Sequence, residues 1–201
     1  MPSGNIQLQD KESDVESAPE KDQRVALRQT LRTIGRIGDD LVEWRPAAVG
    51  EPVCGRFPLD EWHKIADDIH SEQEWQRFVR RYDFVHVLVS SRRCDGQPFG
   101  FVYLFEEEPP APVVSFHGGG WEMMHTLIYA RALILLLERL HSLGIKVRTS
   151  CFNDNTNAIR FLRALGFVPY LRGRRCIYMW INAKRLYNSK LYKRLNSRDK
   201  S

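Results

Sequence analysis

The stretch HGGGWEMMH, residues 117–125, puts two histidines and a carboxylate beside three consecutive glycines. Histidine titrates near neutral pH, so His117 is suited to take up a proton as a general base. Glu122 follows the glycines and is a second base, a substrate anchor or a surface charge. His125 either contacts an anionic group or caps the helix that follows. The three side chains have the right types for a metal, but their spacing matches no closed ligand set, so no metal site is expected. A covalent route would need a nucleophile, and Cys151 is the candidate; its thiol either reacts or lies buried and inert. So glycine-rich a segment is expected to run as an irregular bridge.

The elements around these residues are legible from periodicity. Ile145, Val147, Thr149 and Cys151 alternate as in a strand. Asn153, Asp154 and Asn155 then offer N-cap side chains to a helix that carries Ala158, Phe161, Leu162 and Leu165 on one face and stops at Gly166. The longest helix is expected over 126–143, ended by Gly144. Strands are expected at 41–45, 84–89, 99–105, 112–116, 168–171 and 176–181. Helical patterns fill 58–82, with Ser71 as a cap between two of them, and a C-terminal helix starts at Asn182 with Leu186, Leu191 and Leu195 near one side. Segment 25–37 reads equally as strand or helix. The order β-α-α-β-β-β-α-β-α-β-β calls for an α/β (α+β) domain with a mixed central sheet and helices on both faces.

Composition sets the outer limits. The chain has 201 residues, 43% of them hydrophobic, which is enough for one core. No apolar run approaches the roughly 18 residues that span a membrane. The first residues lack the apolar core of a signal peptide, and four widely spaced cysteines without a CxxC pair suit reduced thiols, so a cytoplasmic protein is expected. Residues 1–24 mix acids and bases without aromatics and read as a disordered tail. The domain is expected over 25–181, with 182–201 as a basic helix or tail. Net charge is +5 and the pI about 9.1. Nucleic acid is not the expected partner, although that basic end leaves the question open, as a solvated face or as a patch for RNA, the ribosome or an acidic partner.

Asn155-x-x-Ala158 followed by Leu165-Gly166-Phe167, placed after the fifth strand, resembles one segment of the GNAT superfamily of N-acetyltransferases. The resemblance spans roughly residues 40–181. It implies transfer of acetyl from acetyl-CoA to an amine of a small molecule or peptide by direct attack, with acetyl-CoA as cosubstrate and a homodimer as a compatible assembly. The alternative is a degenerate GNAT-like domain that binds a ligand or macromolecule. In such proteins the fourth and fifth strands splay, and unpaired backbone groups receive the pantetheine arm. Here that implies Val113–Phe116, with Val114 and Phe116 as contacts, and Arg148–Cys151. The pyrophosphate would meet backbone N–H groups at the start of the long helix, implicating His125, Thr126, Leu127, Ile128 and Ala130.

Two departures from the family pattern stand out. His125 and Ile128 occupy positions where the phosphate loop usually has a long polar residue and a glycine, while Ala130 fits. Leu162 stands where a tyrosine usually protonates the leaving thiolate. Tyr170 and Tyr178 could supply that acid but are expected to pack in the core. Asn155 either caps its helix or bonds the pantetheine amide. Trp121 is a pocket wall or a core plug, and Glu106–Glu108 attract a cationic acceptor or form a solvated tip. His117 and Glu122 are the residues on which catalysis is expected to rest, His117 at the end of the fourth strand beside the thioester.

Overall fold

The computed structural model describes residues 37–47, 71, 73, 74, 77, 85–96, 98–106, 113–120 and 126–198. Seven strands form one sheet: β1 (Val42–Pro46), β2 (Val85–Arg92), β3 (Pro98–Glu106), β4 (Val113–Gly120), β5 (Lys146–Phe152), β6 (Val168–Arg172) and β7 (Cys176–Ile181). Their spatial order is β1-β2-β3-β4-β5-β7-β6. The first four make an antiparallel meander, β5 runs parallel to β4, and β7 lies antiparallel between β5 and β6. A parallel neighbour requires a crossover, and helix α1 (Thr126–Ser142) supplies it. Helix α2 (Thr156–Leu165) joins β5 to β6, and α3 (Ala183–Asn188) and α4 (Lys190–Arg198) close the described chain. Among the described residues the strands and the helices from α1 onward follow the expected order; the two helices expected between β1 and β2 fall mostly outside them. Among the described residues no helix is long and apolar enough to cross a membrane.

The core lies between the sheet and α1. Leu133, Leu136, Leu137 and Leu140 of α1 recur at helical spacing and are buried against Val102, Leu104, Val114, Val147, Met179 and Ile181. Trp44 of β1 is fully buried there, and its indole N–H donates to the Ala132 carbonyl at 2.6 Å, which pins the edge strand to the helix. Asp39, just before β1, accepts from the Leu41 and Val42 N–H groups and pairs with Arg131 of α1. Burial alone would raise the Asp39 pKa, but the bond from Arg131 and the two backbone donors outweigh it and hold the carboxyl below its ordinary value. Alternate residues of β3 face the other way: Phe101 and Tyr103 are buried on the face opposite α1.

Several local expectations change. Gly118, Gly119 and Gly120 do not form an irregular bridge; they continue β4, opposite Val102, Phe101 and Gly100. Cross-strand pairing overrides their weak strand propensity, and Gly118 has a packing reason: a Cβ there would stand 2.2 Å from the Phe101 carbonyl oxygen. His117 is therefore inside β4, three residues before its end, and not at its terminus. The C-terminal helix is two helices. Ser189 is extended at the junction, its N–H donates to Leu186 O, and its hydroxyl accepts from Tyr192 N–H to start α4. Leu186 is fully buried in the main core, with Leu191, Tyr192 and Leu195 packed against it. Tyr170 and Tyr178 are not core residues; both are exposed, Tyr170 on the edge strand β6, where the register shifts between Pro169 and Leu171, and Tyr178 on its partner β7. Ser71 does cap: its hydroxyl accepts from Glu74 N–H. Segments 1–24 and 25–36, and most of 48–84, lie outside the described residues.

Candidate active site

The central feature is an interrupted seam. Strands β4 and β5 pair at only three positions, Val113 with Lys146, Val114 with Val147 and Ser115 with Arg148. Beyond them β4 continues from Phe116 to Gly120 paired only to β3, and β5 continues from Thr149 to Phe152 paired only to β7. The two strands diverge, and each offers one backbone edge to the gap. The gap opens later than expected: Val114 stands inside the paired ladder, Phe116 is the first β4 residue past it, and Thr149 is the first on β5. Backbone donors and acceptors along such an edge need partners, which an extended amide-bearing ligand can supply.

Helix α1 starts six residues after β4 ends. Its first-turn N–H groups, those of Thr126, Leu127, Ile128 and Tyr129, have no partner within the helix, and no acidic residue occupies that turn. Ala130 is buried, and the half-buried Ile128 packs against the core. The turn is held in place by Tyr129. Its hydroxyl donates to Phe101 O at 3.0 Å, its ring stacks on Phe161 of α2 at 6.2 Å, and Trp44 lies 6.4 Å away. Burial pushes the Tyr129 pKa far up, so the hydroxyl keeps its proton. Sequence reasoning missed Tyr129; an aromatic in the first turn of an apolar helix gave no signal beyond core packing.

His117 projects from β4 onto the face opposite α1, where its ring stacks on Tyr103 at 5.2 Å and 15°. Burial lowers its pKa to about 4, so the imidazole is neutral through the physiological range. Glu122, His125 and Trp121 fall in the connection between β4 and α1, outside the described residues. On the β5 side, Asn155 caps α2, its Oδ1 accepting from Ala158 N–H at 3.1 Å. The capping role is thus filled, and the amide N–H₂ is left for other partners. Cys151 is buried, its thiol donates weakly to Asn155 O, and burial pushes its pKa up to about 11, with Cys176 and Asp154 adding to the shift. That environment opposes a thiolate nucleophile. Leu162 sits in the core and carries no proton to give.

No family model matches this sequence, and no curated protein matches it. Solved structures do match in three dimensions. A nucleotide-linked sugar GNAT, FdhC in its apo form, superposes with a TM-score of 0.59 over 82% of this chain and 96% of its own, at 13% identity. A GCN5-related N-acetyltransferase from Brucella melitensis gives 0.60, with 80% and 83% covered at 13% identity. Mycobacterium smegmatis RimJ, solved with CoA-disulfide, gives 0.54, with 78% and 88% covered at 16% identity. The chain has the GNAT fold.

Proposed function

We propose that this protein is an acyl-CoA-dependent N-acyltransferase that moves acetyl from acetyl-CoA to an amine of a small molecule or peptide. The observation that carries this reading is the seam that ends at Ser115 and Arg148, with the free N–H groups of α1 just beyond β4. The residues suit the cosubstrate: backbone edges at Phe116–Gly120 and Thr149–Phe152 for the amide-bearing arm, and a helix start without acids for its pyrophosphate. Gly118 leaves the edge without a Cβ, and the Asn155 amide can donate to the arm. Thr126, Leu127 and Ile128 contribute through the backbone, so the side chain at 128 matters less than the N–H behind it.

Acetyl-CoA supplies a thioester carbonyl. The amine nitrogen bonds to that carbon, the carbon–sulfur bond breaks, and the amine loses a proton. His117, uncharged at neutral pH, accepts a hydrogen bond from the amine and orients its lone pair. A group so weakly basic does not hold the proton, and Glu122 is the residue assigned to remove it. With Leu162 at the usual acid position, the thiolate takes its proton from water.

Binding is tested first. Acetyl-CoA at a hundred times its Kd should stabilise the fold by about 2.7 kcal/mol, visible as a rise in Tm and as a calorimetric isotherm. No binding at millimolar ligand would remove the enzyme reading. Given binding, His117→Ala and Glu122→Ala should each lower turnover across a panel of amines. Binding without turnover for any amine leaves the degenerate, ligand-binding alternative.

A further inference from the structure

From Asn155 to Arg198 the chain contains eleven Lys and Arg and not one Asp or Glu. The rest carries nineteen cations against twenty-five acids, a net charge of −6. The overall +5 thus conceals an acidic part and a strongly basic one. The fold gathers part of that charge into a concavity. A groove of about 500 Å³ runs between the end of α2, the start of β6 and the α3–α4 junction, lined by Arg160, Arg163, Arg185 and Lys190. All four are exposed, and none has an acidic partner among the described residues. Arg185 rests over the Trp180 ring at 5.2 Å, which fixes its direction without neutralising it.

The concavity is built rather than incidental. Gly166, at φ 104°, ends α2 so close to α3 that a Cβ there would lie 2.7 Å from Arg185 O. Phe167, almost fully buried, lines the groove, and Leu186 of α3 is fully buried in the core. The positive end of α4 opens beside Lys190, and Lys193 and Arg194 continue the charge along the helix at i+3 and i+4. The groove runs along the C-terminal half of α2, and its lining shares no residue with the β4–β5 gap or the α1 start.

We infer that this groove is a second site, independent of the acyl-transfer reading, which binds the phosphodiester backbone of RNA. Three guanidinium forks and an ammonium with no carboxylate among them match a row of phosphates. A membrane surface fits poorly, because the groove's one large apolar side chain, Phe167, is buried, and the half-buried Ala164 and Val168 are too small to insert. An acidic protein partner fits poorly too, since no exposed aromatic anchor sits at the centre. Phe167 is the one aromatic that lines the groove, and it is buried, so binding is to backbone and not to bases. Asn188, exposed on the lip, uses its amide N–H₂ on Lys184 O and turns its side-chain oxygen to the cations, where a 2′-hydroxyl can donate to it.

The test is fluorescence anisotropy of the full chain with a labelled 20-base-pair RNA duplex, the matching DNA duplex, polyglutamate and phosphatidylserine vesicles. Saturable RNA binding is expected, with a log–log salt slope of about −3 for three to four phosphate contacts. Arg160→Glu with Arg163→Glu should weaken it by at least about tenfold. Arg139→Glu with Lys146→Glu, which makes the same change in net charge outside the groove, should weaken it by less than about threefold. Circular dichroism establishes that both doubles fold, and Lys190→Glu alone gives a milder variant if one does not. Equal losses in the two doubles, equal affinity for the DNA duplex, or binding of vesicles or polyglutamate in place of RNA would each overturn the inference.

Discussion

Gly118→Ala is the sharpest test of how the site is built. The new Cβ would stand 2.2 Å from Phe101 O, 2.9 Å from Val102 Cα and 3.0 Å from Val102 Cγ1. Two of these are backbone atoms of the paired strand, so no rotamer change relieves the contact. Restoring ordinary van der Waals distance requires β3 to withdraw from β4 by about 1 Å. That stretches ladder bonds around Val102 and Gly118 and the Tyr129–Phe101 bond, each worth about 1 kcal/mol net. Overpacking by one methyl adds a cost of the same order. The expected loss is about 3 kcal/mol. With a urea m-value of about 2 kcal/mol per molar, the midpoint falls by about 1.5 M at unchanged m. Gly118 does not have positive φ, so the cost comes from contact and not from backbone strain. A loss below about 0.5 kcal/mol would show that β3 and β4 do not approach this closely, and the account of the gap's edge would fail with it.

Other predictions rest on single groups. Asn155→Ala should cost about 1 kcal/mol through the lost cap, while Asn155→Asp keeps the capping oxygen and the stability but loses the amide donor; a KM for acetyl-CoA unchanged in Asn155→Asp would confine the residue to capping. His117, lowered from 6.5 to about 4 in the fold, binds fewer protons than in the unfolded chain between those values. Its contribution is therefore complete above pH 6.5 and is lost as pH falls toward 4, by about 3 kcal/mol in all. His117→Gln should remove that part of the acid limb in denaturation curves taken from pH 7 to 4, and an unchanged limb would contradict the burial of the ring. Cys151 should react with iodoacetamide at pH 7.5 far more slowly than exposed Cys94, and Cys151→Ala should retain turnover; loss of turnover in a variant that still folds would revive the covalent route.

The fold was largely legible because its elements carry strong local signals. Alternation marked β5, apolar and aromatic runs marked β2, β3 and β7, helical spacing marked α1 and α2, and Asn155 and Gly166 gave both ends of α2 as caps. What escaped depends on partners distant in sequence. Three glycines look like a loop until β3 is laid beside them. Tyr170 looks like core until β6 proves to be an edge. Ser189 looks like an interior helix residue until its hydroxyl is seen to cap the next helix. The site divides the same way: Asn155, Phe116 and the start of α1 follow from the motif, whereas Tyr103 under His117 and Tyr129 on Phe101 O are register facts that no single segment encodes.

Among the described residues, three rungs between β4 and β5 are the only hydrogen-bonded stitching between two blocks of sheet, the four-stranded meander and the β5-β7-β6 ribbon. Mechanically this is a short zip in an otherwise continuous fabric, reinforced from behind by α1. Tension applied across the sheet should part the molecule there first, with each block still intact. A ligand laid along both free edges would lengthen the zip from the open end, so occupancy of the gap and rigidity of the whole sheet are two readings of one quantity.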